Sequence, residues 1–363
     1  MEAIIGVTYR CNARCYMCNT WRFPSKIKEE ITLSDIEKIP DNLSFINITG
    51  GEPFLRKDLE EIVTLARKKA ERVVISTNGF FSERIIALAG KYPDIGIRIS
   101  LEGLPKANDE LRGINDGFDS GIRTLIELKH IGLKDIGFGI TVSDRNAEDL
   151  LELYKLSLAM NLEFATAVVH STYYFHKMDN EIRDKEMVSR QFSRLIAEFF
   201  KTWRLKNWYR AYFNYGLINK IHGGKRFLPC EMGSDVFFLD PFGEIRPCNG
   251  MEETMGNIKE KSFDEIWNGP DAERVRDLVA HCDKECWMIG SASPAMKKSL
   301  WTPTKWILKN RGKCLQDEHW AWKLYAKLFL TGHPSPPHDE KSRLSPKIGE
   351  TPFRDFHGKG KKP

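Results

Sequence analysis

Three cysteines crowd the start of the chain, in the stretch YRCNARCYMCNTW (residues 9–21). Cys11, Cys15 and Cys18 have the spacing C-x3-C-x2-C and come directly after a short apolar run. Because thiolates are soft ligands that suit iron, three of them in one loop can hold three corners of a four-iron cluster. Such a cluster leaves one iron open to a small molecule with an amine and a carboxylate. The alternatives are a zinc knuckle or a ferredoxin-like cluster, but no fourth Cys or His follows nearby.

The elements that must position this loop are six short apolar runs that alternate with helical patterns. Each run is rich in β-branched residues and bounded by Gly, Asn, Asp or Ser, which predicts buried strands. The six runs are residues 3–8, 45–50, 72–77, 95–100, 135–142 and 163–169. The helical patterns between them include residues 33–39, where Ser34 and Glu37 have capping-box spacing. This alternation predicts a parallel sheet closed into a partial (β/α)6 TIM-like barrel, with chemistry at the carboxyl ends of the strands.

Polar residues at those strand ends are the next candidates. The second run ends in Gly50-Gly51-Glu52-Pro53, where paired glycines let a ligand approach the backbone and Glu52 can accept hydrogen bonds from an ammonium group. A simple Gly-Gly-x-Pro turn is the alternative interpretation. Comparable polar positions follow the third, fourth and fifth runs: Ser76, Asn78, Ser100, Glu102, Thr141 and Asn146.

A second group of cysteines lies far along the chain. Cys230, Cys248, Cys282 and Cys286 surround a predicted hairpin, whose turn is Asp240-Pro241-Phe242-Gly243. A hairpin brings distant thiols together, and four thiols can ligate either an iron–sulfur cluster or a structural zinc ion. Cys314 is left over, as a buried apolar residue or as a substitute ligand.

Together these motifs resemble the radical S-adenosylmethionine (SAM) superfamily, with a C-terminal SPASM/twitch auxiliary-cluster module. The resemblance implies that Cys11, Cys15 and Cys18 hold a [4Fe-4S] cluster that reductively cleaves SAM to a 5′-deoxyadenosyl radical, which takes hydrogen from a substrate. It also implies that Gly50, Gly51, Glu52 and Pro53 hold the methionine amine. The other SAM contacts it implies are Tyr16 and Met17 beside the adenine, and Ser76, Asn78, Ser100, Glu102 and Thr141. The second cysteine group then holds one fully ligated auxiliary [4Fe-4S] cluster for electron transfer.

Composition and charge narrow the function classes. The 363 residues carry a net charge of only +5, which argues against a nucleic-acid-binding face. No apolar run is long enough to span a membrane. The first ten residues lack the pattern of a signal peptide, so we expect a cytoplasmic protein in which clustered cysteines bind metal.

The domain organisation follows from shifts in pattern. We expect the barrel core at 1–180, a helical bridge at 181–228 and the auxiliary module at 229–292. An aromatic and basic helical extension then covers 293–330, and the Pro-, Gly- and Lys-rich stretch 331–363 predicts a mobile tail.

Candidate catalytic residues lie after the sixth run and beside the hairpin. The stretch HSTYYFHK (170–177) offers His170, Tyr173 and His176 as substrate ligands or proton acceptors, since histidine titrates near neutrality. Asp235 is a candidate base, and Asp240 precedes Pro241 as a turn residue would. A polar loop with core aromatics is the alternative interpretation of 170–177.

The substrate is the weakest inference from sequence. The resemblance implies an oxidoreductase, with dehydrogenation of a small polar metabolite (a sugar, cyclitol or nucleoside) as the main hypothesis and a flavodoxin- or ferredoxin-type electron donor. The alternatives are maturation of a ribosomally made peptide, a lipid- or glycan-modifying enzyme, since Trp and Lys alternate in 299–313, and a non-catalytic metal scaffold. The absence of a peptide-recognition segment before residue 3 favours the small metabolite.

Overall fold

The computed structural model describes residues 1–330, and the predicted tail lies outside them. All six predicted strands are present, each within two residues of its expected ends, and adjacent strands pair in parallel. They are β1 (Glu2–Gly6), β2 (Phe45–Thr49), β3 (Val73–Thr77), β4 (Gly96–Ser100), β5 (Asp135–Val142) and β6 (Glu163–Val168). Their order in the sheet is the order in the chain, as repeated right-handed crossovers produce.

Helices fill the connections between the strands. The first half contains α1 (Leu33–Glu37), α2 (Leu59–Lys69), α3 (Ser82–Lys91), α4 (Pro105–Arg112), α5 (Gly117–His130) and α6 (Leu150–Ala159). The predicted Ser34–Glu37 capping box is wrong by two residues. Thr32 has the extended backbone that a cap requires, and its N–H donates to the Asp35 carboxylate at 2.9 Å.

The two faces of the parallel sheet differ in burial because side chains alternate along a strand. Ile5, Ile48 and Ile97 are fully buried in the main apolar core. The opposite face carries the half-buried Asn47 and Ser76, whose side chains hydrogen-bond at 3.0 Å. The first face is the one packed in the core, and the second is free to line a cavity.

The hairpin of the second cysteine group belongs to the same sheet. β7 (Val236–Leu239) and β8 (Glu244–Arg246) form the predicted antiparallel pair, and β9 (Gly256–Asn257) follows. β7 also pairs in parallel with β1, which joins these three strands to the barrel strands in one nine-stranded sheet. Sequence patterns did not predict this pairing, because β7 is separated from β1 by more than 200 residues.

The remaining helices are α7 (Lys185–Lys201), α8 (Leu205–Ile221), α9 (Phe263–Trp267), α10 (Pro270–Ala280), α11 (Ile289–Lys298), α12 (Trp301–Gln316) and α13 (Trp320–Tyr325). The Trp–Lys stretch forms α12, in which Trp306 stacks on Tyr215 at 4.7 Å while Trp301 is 69% exposed. Trp306 therefore serves packing. Within residues 1–330, none of the helices combines the length and apolarity needed to cross a membrane.

Candidate active site and auxiliary metal centre

The thiol loop leaves the carboxyl end of β1 and lies against the end of α4. The Arg14 N–H donates to the Arg112 carbonyl at 2.9 Å, and the Tyr16 N–H donates to the Leu111 carbonyl at 2.7 Å. Cys11, Cys15 and Cys18 are all partly exposed. The loop is thus fixed by backbone hydrogen bonds that leave its three thiols accessible.

Gly50 and Gly51 pass directly beneath this loop. The Gly51 N–H donates to the Thr8 carbonyl at 2.6 Å, and the Glu52 N–H donates to the Arg10 carbonyl at 2.8 Å. A Cβ at Gly50 would lie 2.5 Å from the Thr8 oxygen, and one at Gly51 would overlap the Arg10 carbonyl. The glycines are therefore required by close approach of the protein's own chain. The expectation that they make room for a ligand stays a prediction.

The Glu52 carboxylate joins the ends of β2 and β3. It is fully buried and accepts from the Phe54 N–H at 3.1 Å, the Thr77 hydroxyl at 2.8 Å and the Asn78 N–H at 2.7 Å. Burial raises the pKa of Glu52, and these hydrogen bonds oppose the rise. Pro53, the next residue, begins a short helical turn and is buried. Three protein donors thus already occupy Glu52, which sequence reasoning had assigned to a ligand's ammonium group.

Asn78 connects this network to the thiol loop, since its side-chain amide donates to the Asn12 side chain at 2.7 Å. Ser76 lies within β3, and its hydroxyl donates to the Asn47 side chain of β2 at 3.0 Å. Of these two predicted residues, Asn78 is the one whose side chain contacts the thiol loop.

Arg112, at the end of α4, is a site residue that sequence reasoning missed. Its guanidinium is buried, donates to Glu102 at 3.3 Å, and has an Nε with no hydrogen-bond partner among the described residues. Burial raises the pKa of Cys11 to about 12 and that of Cys15 to about 11, and the charge of Arg112 opposes both shifts. An Arg in the last turn of a helix is common in surface helices, so no sequence pattern indicates that this one is buried among thiols.

Glu102 and Thr141 continue the Arg112 network. The Glu102 carboxylate accepts from the Thr141 N–H at 2.6 Å, and burial raises its pKa. Asn146 is buried and donates to the carbonyls of Glu102 and Thr141, so it holds the loop after β5. Ser100 ends β4 and is partly exposed on the same strand end. The structure brings these predicted residues together.

Tyr16 and Met17 have different surroundings. Tyr16 is 39% exposed, and the Arg145 guanidinium lies 3.8 Å from the centre of its ring. Met17 is buried against Leu111 and Val169. Tyr16 therefore presents an exposed ring at the surface of the thiol loop, whereas Met17 packs into the interior.

The 170–177 stretch lies over the thiol loop. Asn19 donates from its side chain to the His176 carbonyl at 3.0 Å, and the His176 ring lies 5.3 Å from that of Tyr9. Burial lowers the pKa of His176 to about 4 and also lowers the pKa of His170. Tyr173 lies under the Arg246 guanidinium, and burial raises its pKa. Both imidazoles are therefore neutral at pH 7.

The structure places Asp235 away from these residues. It precedes β7, and its carbonyl accepts from the Glu2 N–H at 2.8 Å, at the amino end of β1. Its carboxylate pairs with Lys298 at 2.6 Å. Because β1 and β7 are parallel, Asp235 lies at the opposite end of the sheet from the thiol loop, and this geometry does not support the predicted catalytic role. Asp240 lies at the carboxyl end, buried and paired with Arg246 at 3.2 Å.

The second cysteine group converges around the hairpin. Burial raises the pKa of Cys248 to about 11, and the charges of Cys286 and Cys230 raise it further. Burial also raises the pKa of Cys286, and the charges of Cys282 and Cys230 add to that rise. Each of the four thiols is thus within electrostatic reach of another. Cys314 lies in α12 in the main apolar core, which supports its interpretation as a buried apolar residue.

The chemistry of both donor sets fits iron–sulfur clusters, since each consists of partly exposed thiols. Across residues 1–330, no three His, Cys, Asp or Glu side chains form a group suited to a single metal ion.

Family models decide the assignment. Residues 5–157 match the radical SAM superfamily model, and residues 230–288 match the SPASM iron–sulfur cluster-binding domain. The chain belongs to the radical SAM superfamily. This radical SAM protein therefore uses [4Fe-4S] clusters and SAM, as the resemblance implied.

Curated relatives differ in what they are named for. The radical SAM chain is 32% identical over 159 residues to Fe-coproporphyrin III synthase of Methanosarcina barkeri, which covers 42% of this chain and 39% of that protein. It is 26% identical to pre-heme d1 synthase of Dinoroseobacter shibae, over 77% of each chain. It is also 26% identical to the subtilosin biosynthesis protein AlbA of Bacillus subtilis, over 83% of this chain and 68% of AlbA.

Solved structures show the same fold. Native anSMEcpe with AdoMet and the Kp18Cys peptide has a TM-score of 0.59 at 15% identity, covering 86% of this chain and 99% of that one. Streptococcus suis SuiB with its precursor peptide SuiA has a TM-score of 0.57 at 19% identity, covering 79% and 70%. At such identities the likeness concerns the fold alone.

Proposed function

We propose that this radical SAM enzyme removes hydrogen from a carbon atom of a ribosomally made peptide, at the carboxyl end of β1–β6. The observation that carries the radical chemistry is the network in which Arg112, Glu102 and Glu52 surround the accessible thiols of the N-terminal loop. The peptide is supported by AlbA, to which the chain is similar over most of its length. The peptide replaces the small-metabolite hypothesis, because a relative named for a nucleotide substrate, a probable GTP 3′,8-cyclase, matches only 50% of this chain, against 83% for AlbA.

The residues would divide the work as follows. Cys11, Cys15 and Cys18 would hold the N-terminal cluster, and the unpartnered Nε of Arg112 suits the carboxylate of SAM. When bound, the N-terminal cluster would supply the single electron that reductive cleavage of SAM requires, the auxiliary cluster would accept an electron from the substrate, and a flavodoxin- or ferredoxin-type protein would restore the reduced state.

Dehydrogenation of a peptide carbon also releases a proton. His176 lies over the thiol loop, and because burial lowers its pKa to about 4, its imidazole is neutral at pH 7 and would act as a weak proton acceptor. The ring centres of Tyr9, Phe23 and Tyr173 lie 5.0–6.2 Å from that of His176. His176 is therefore the proposed base, ahead of His170, and Asp235 is not.

A tetrapyrrole is the second candidate substrate. It is favoured by the names of two relatives, Fe-coproporphyrin III synthase and pre-heme d1 synthase, the latter matched over 77% of each chain.

The test is anaerobic incubation of the reduced enzyme with SAM and one substrate at a time: short peptides encoded beside its gene, or coproporphyrin. Each substrate is deuterated at carbon, and mass spectrometry follows deuterium in 5′-deoxyadenosine and a mass loss in the substrate. We expect both signals with a peptide. Both signals with coproporphyrin and neither with a peptide would assign the second candidate instead.

Two cysteine variants test the cluster assignment: Cys15→Ala changes a proposed ligand, and Cys314→Ala is its matched control. Cys15→Ala is expected to abolish SAM cleavage and to lower the iron content from about eight per chain, as for two four-iron clusters. Cys314→Ala removes a thiol from the apolar core and is expected to leave both unchanged. Unaltered SAM cleavage in Cys15→Ala would overturn the ligand assignment.

A further inference from the structure

Tyr174 is a buried tyrosine that the proposed mechanism does not use. It follows β6 and belongs to a small apolar cluster, with ring centres 5.0 Å from Phe238 and 5.4 Å from Tyr9. It is only 5% exposed. Its ring therefore lies between the thiol loop, which Tyr9 precedes, and β7, which contains Phe238.

The backbone beside Tyr174 connects the two cysteine groups. The Tyr174 N–H donates to the carbonyl of Asn249 at 3.2 Å, and Asn249 directly follows Cys248. The Asn19 N–H donates to the carbonyl of Phe175 at 2.8 Å, and Asn19 directly follows Cys18. One short segment is thus held one residue away from a proposed ligand of each cluster.

The hydroxyl of Tyr174 has no hydrogen-bond partner among the described residues, although it is buried. Burial raises its pKa well above the usual value, and the charges of Cys18 and Cys11 raise it further. The hydroxyl therefore keeps its proton at neutral pH and lies within electrostatic reach of the N-terminal thiols. A buried O–H without an acceptor is unfavourable, so we expect a bound group to supply the acceptor for this hydroxyl.

We propose that the Tyr174 hydroxyl donates a hydrogen bond to a sulfur atom of the N-terminal cluster and thereby sets its reduction potential. Hydrogen bonds to cluster sulfurs stabilise the more negative, reduced state, and so raise the potential. Tyr174 is then a positioning residue. The inference rests on the proposed ligand role of Cys11, Cys15 and Cys18.

The test compares Tyr174→Phe with Tyr9→Phe in the full chain with both clusters reconstituted. Both changes remove one buried hydroxyl from the same aromatic cluster. The largest charge effects on Tyr9 come from Asp240, Tyr174, Arg246 and Tyr173, whereas those on Tyr174 come from Cys18 and Cys11. Redox titration followed by electron paramagnetic resonance gives the midpoint potential, and the N-terminal signal is the one that changes when SAM is added.

We expect a lower midpoint potential for the N-terminal cluster in Tyr174→Phe, with the auxiliary cluster unshifted, and neither shifted in Tyr9→Phe. Electron–nuclear double resonance after exchange into D₂O should show a coupled deuteron that Tyr174→Phe lacks. An unchanged potential, an unchanged deuteron coupling or equal shifts in both variants would overturn the proposal. If no signal responds to SAM in the unmodified protein, the ligand assignment fails instead, and full iron content in Tyr174→Phe excludes loss of the cluster as the cause.

Discussion

One guanidinium balances the charge around the thiol loop. Arg112 lies buried beside Glu102, and the carboxylate of Glu52 and the thiols of Cys11 and Cys15 also act on it. Removal of the cation from such a network destabilises the protein by more than the ion pair itself contributes to stability. The reason is that two buried carboxylates would remain without a counter-charge.

Replacement of Arg112 by Met is therefore expected to destabilise the protein by about 3–5 kcal/mol, the usual result of removing one partner of a buried ion pair. Arg123→Met, at an exposed position of α5, is the matched control and should change stability by less than about 0.5 kcal/mol. Anaerobic urea unfolding measures both. Equal midpoints for the two variants would show that Arg112 does not neutralise the carboxylates.

At this scale the sequence predicts the thiol ligands and the nearby carboxylates Glu52 and Glu102, but not the guanidinium of Arg112 that lies among them. The spacing of Cys11, Cys15 and Cys18 is local, so it could be seen directly. Arg112 is far from them in sequence, and only the fold of α4 against the thiol loop brings it there. Asp235 failed for a similar reason: a strand pattern does not say which end of the sheet a flanking residue occupies.

At the scale of elements, the turn after β2 supports the thiol loop. Gly51 approaches the backbone of Tyr9 and Arg10 so closely that no side chain fits between them. Regular strands were predictable because their β-branched runs are short and bounded by turn residues. The close approach of Gly51 to the thiol loop was not predictable, because it depends on the distance between two turns and not on a sequence pattern within either turn.

Gly51→Ala is expected to lower the midpoint of thermal unfolding and to displace the thiol loop, since the new methyl group overlaps the Arg10 carbonyl. Gly90→Ala provides the control, because a Cβ at Gly90 meets nothing within 4 Å and the residue lies in α3. It should raise stability by about 0.5–1 kcal/mol through helix propensity. Circular dichroism measures the midpoint of thermal unfolding of both variants. A midpoint for Gly51→Ala at or above that of the unmodified protein would contradict this account of the turn.

At the scale of the whole molecule, the C-terminal helices close over the helical bridge. His222 follows α8, stacks on Trp322 at 5.0 Å and lies 5.2 Å from Tyr325 of α13. Its Nε2 lies 3.0 Å from the Ser189 hydroxyl of α7. Sequence patterns predicted helices here but not their packing.

Burial lowers the pKa of His222 to about 4, and the charge of Lys185 contributes to the shift. The unfolded chain takes up a proton below about pH 6.5, while the folded protein does not until about pH 4. The free energy of unfolding should therefore fall as the pH is lowered from 6.5 towards 4, and His222→Gln should reduce this fall. Urea midpoints at pH 7.5 and pH 5 measure it, with the exposed His281→Gln as control. The same pH dependence in all three proteins would refute a role for His222.

The pairing of β7 with β1 has a consequence for substrate binding. Four consecutive residue pairs, from Glu2 opposite Val236 to Ile5 opposite Leu239, join the two strands by backbone hydrogen bonds. Neighbouring strands are held about 4.8 Å apart, and such a ladder permits no hinge between its two sides. The separation between the strand that leads into the thiol loop and the strand that begins the hairpin is thus set by the backbone, and we expect it to stay the same when a substrate binds.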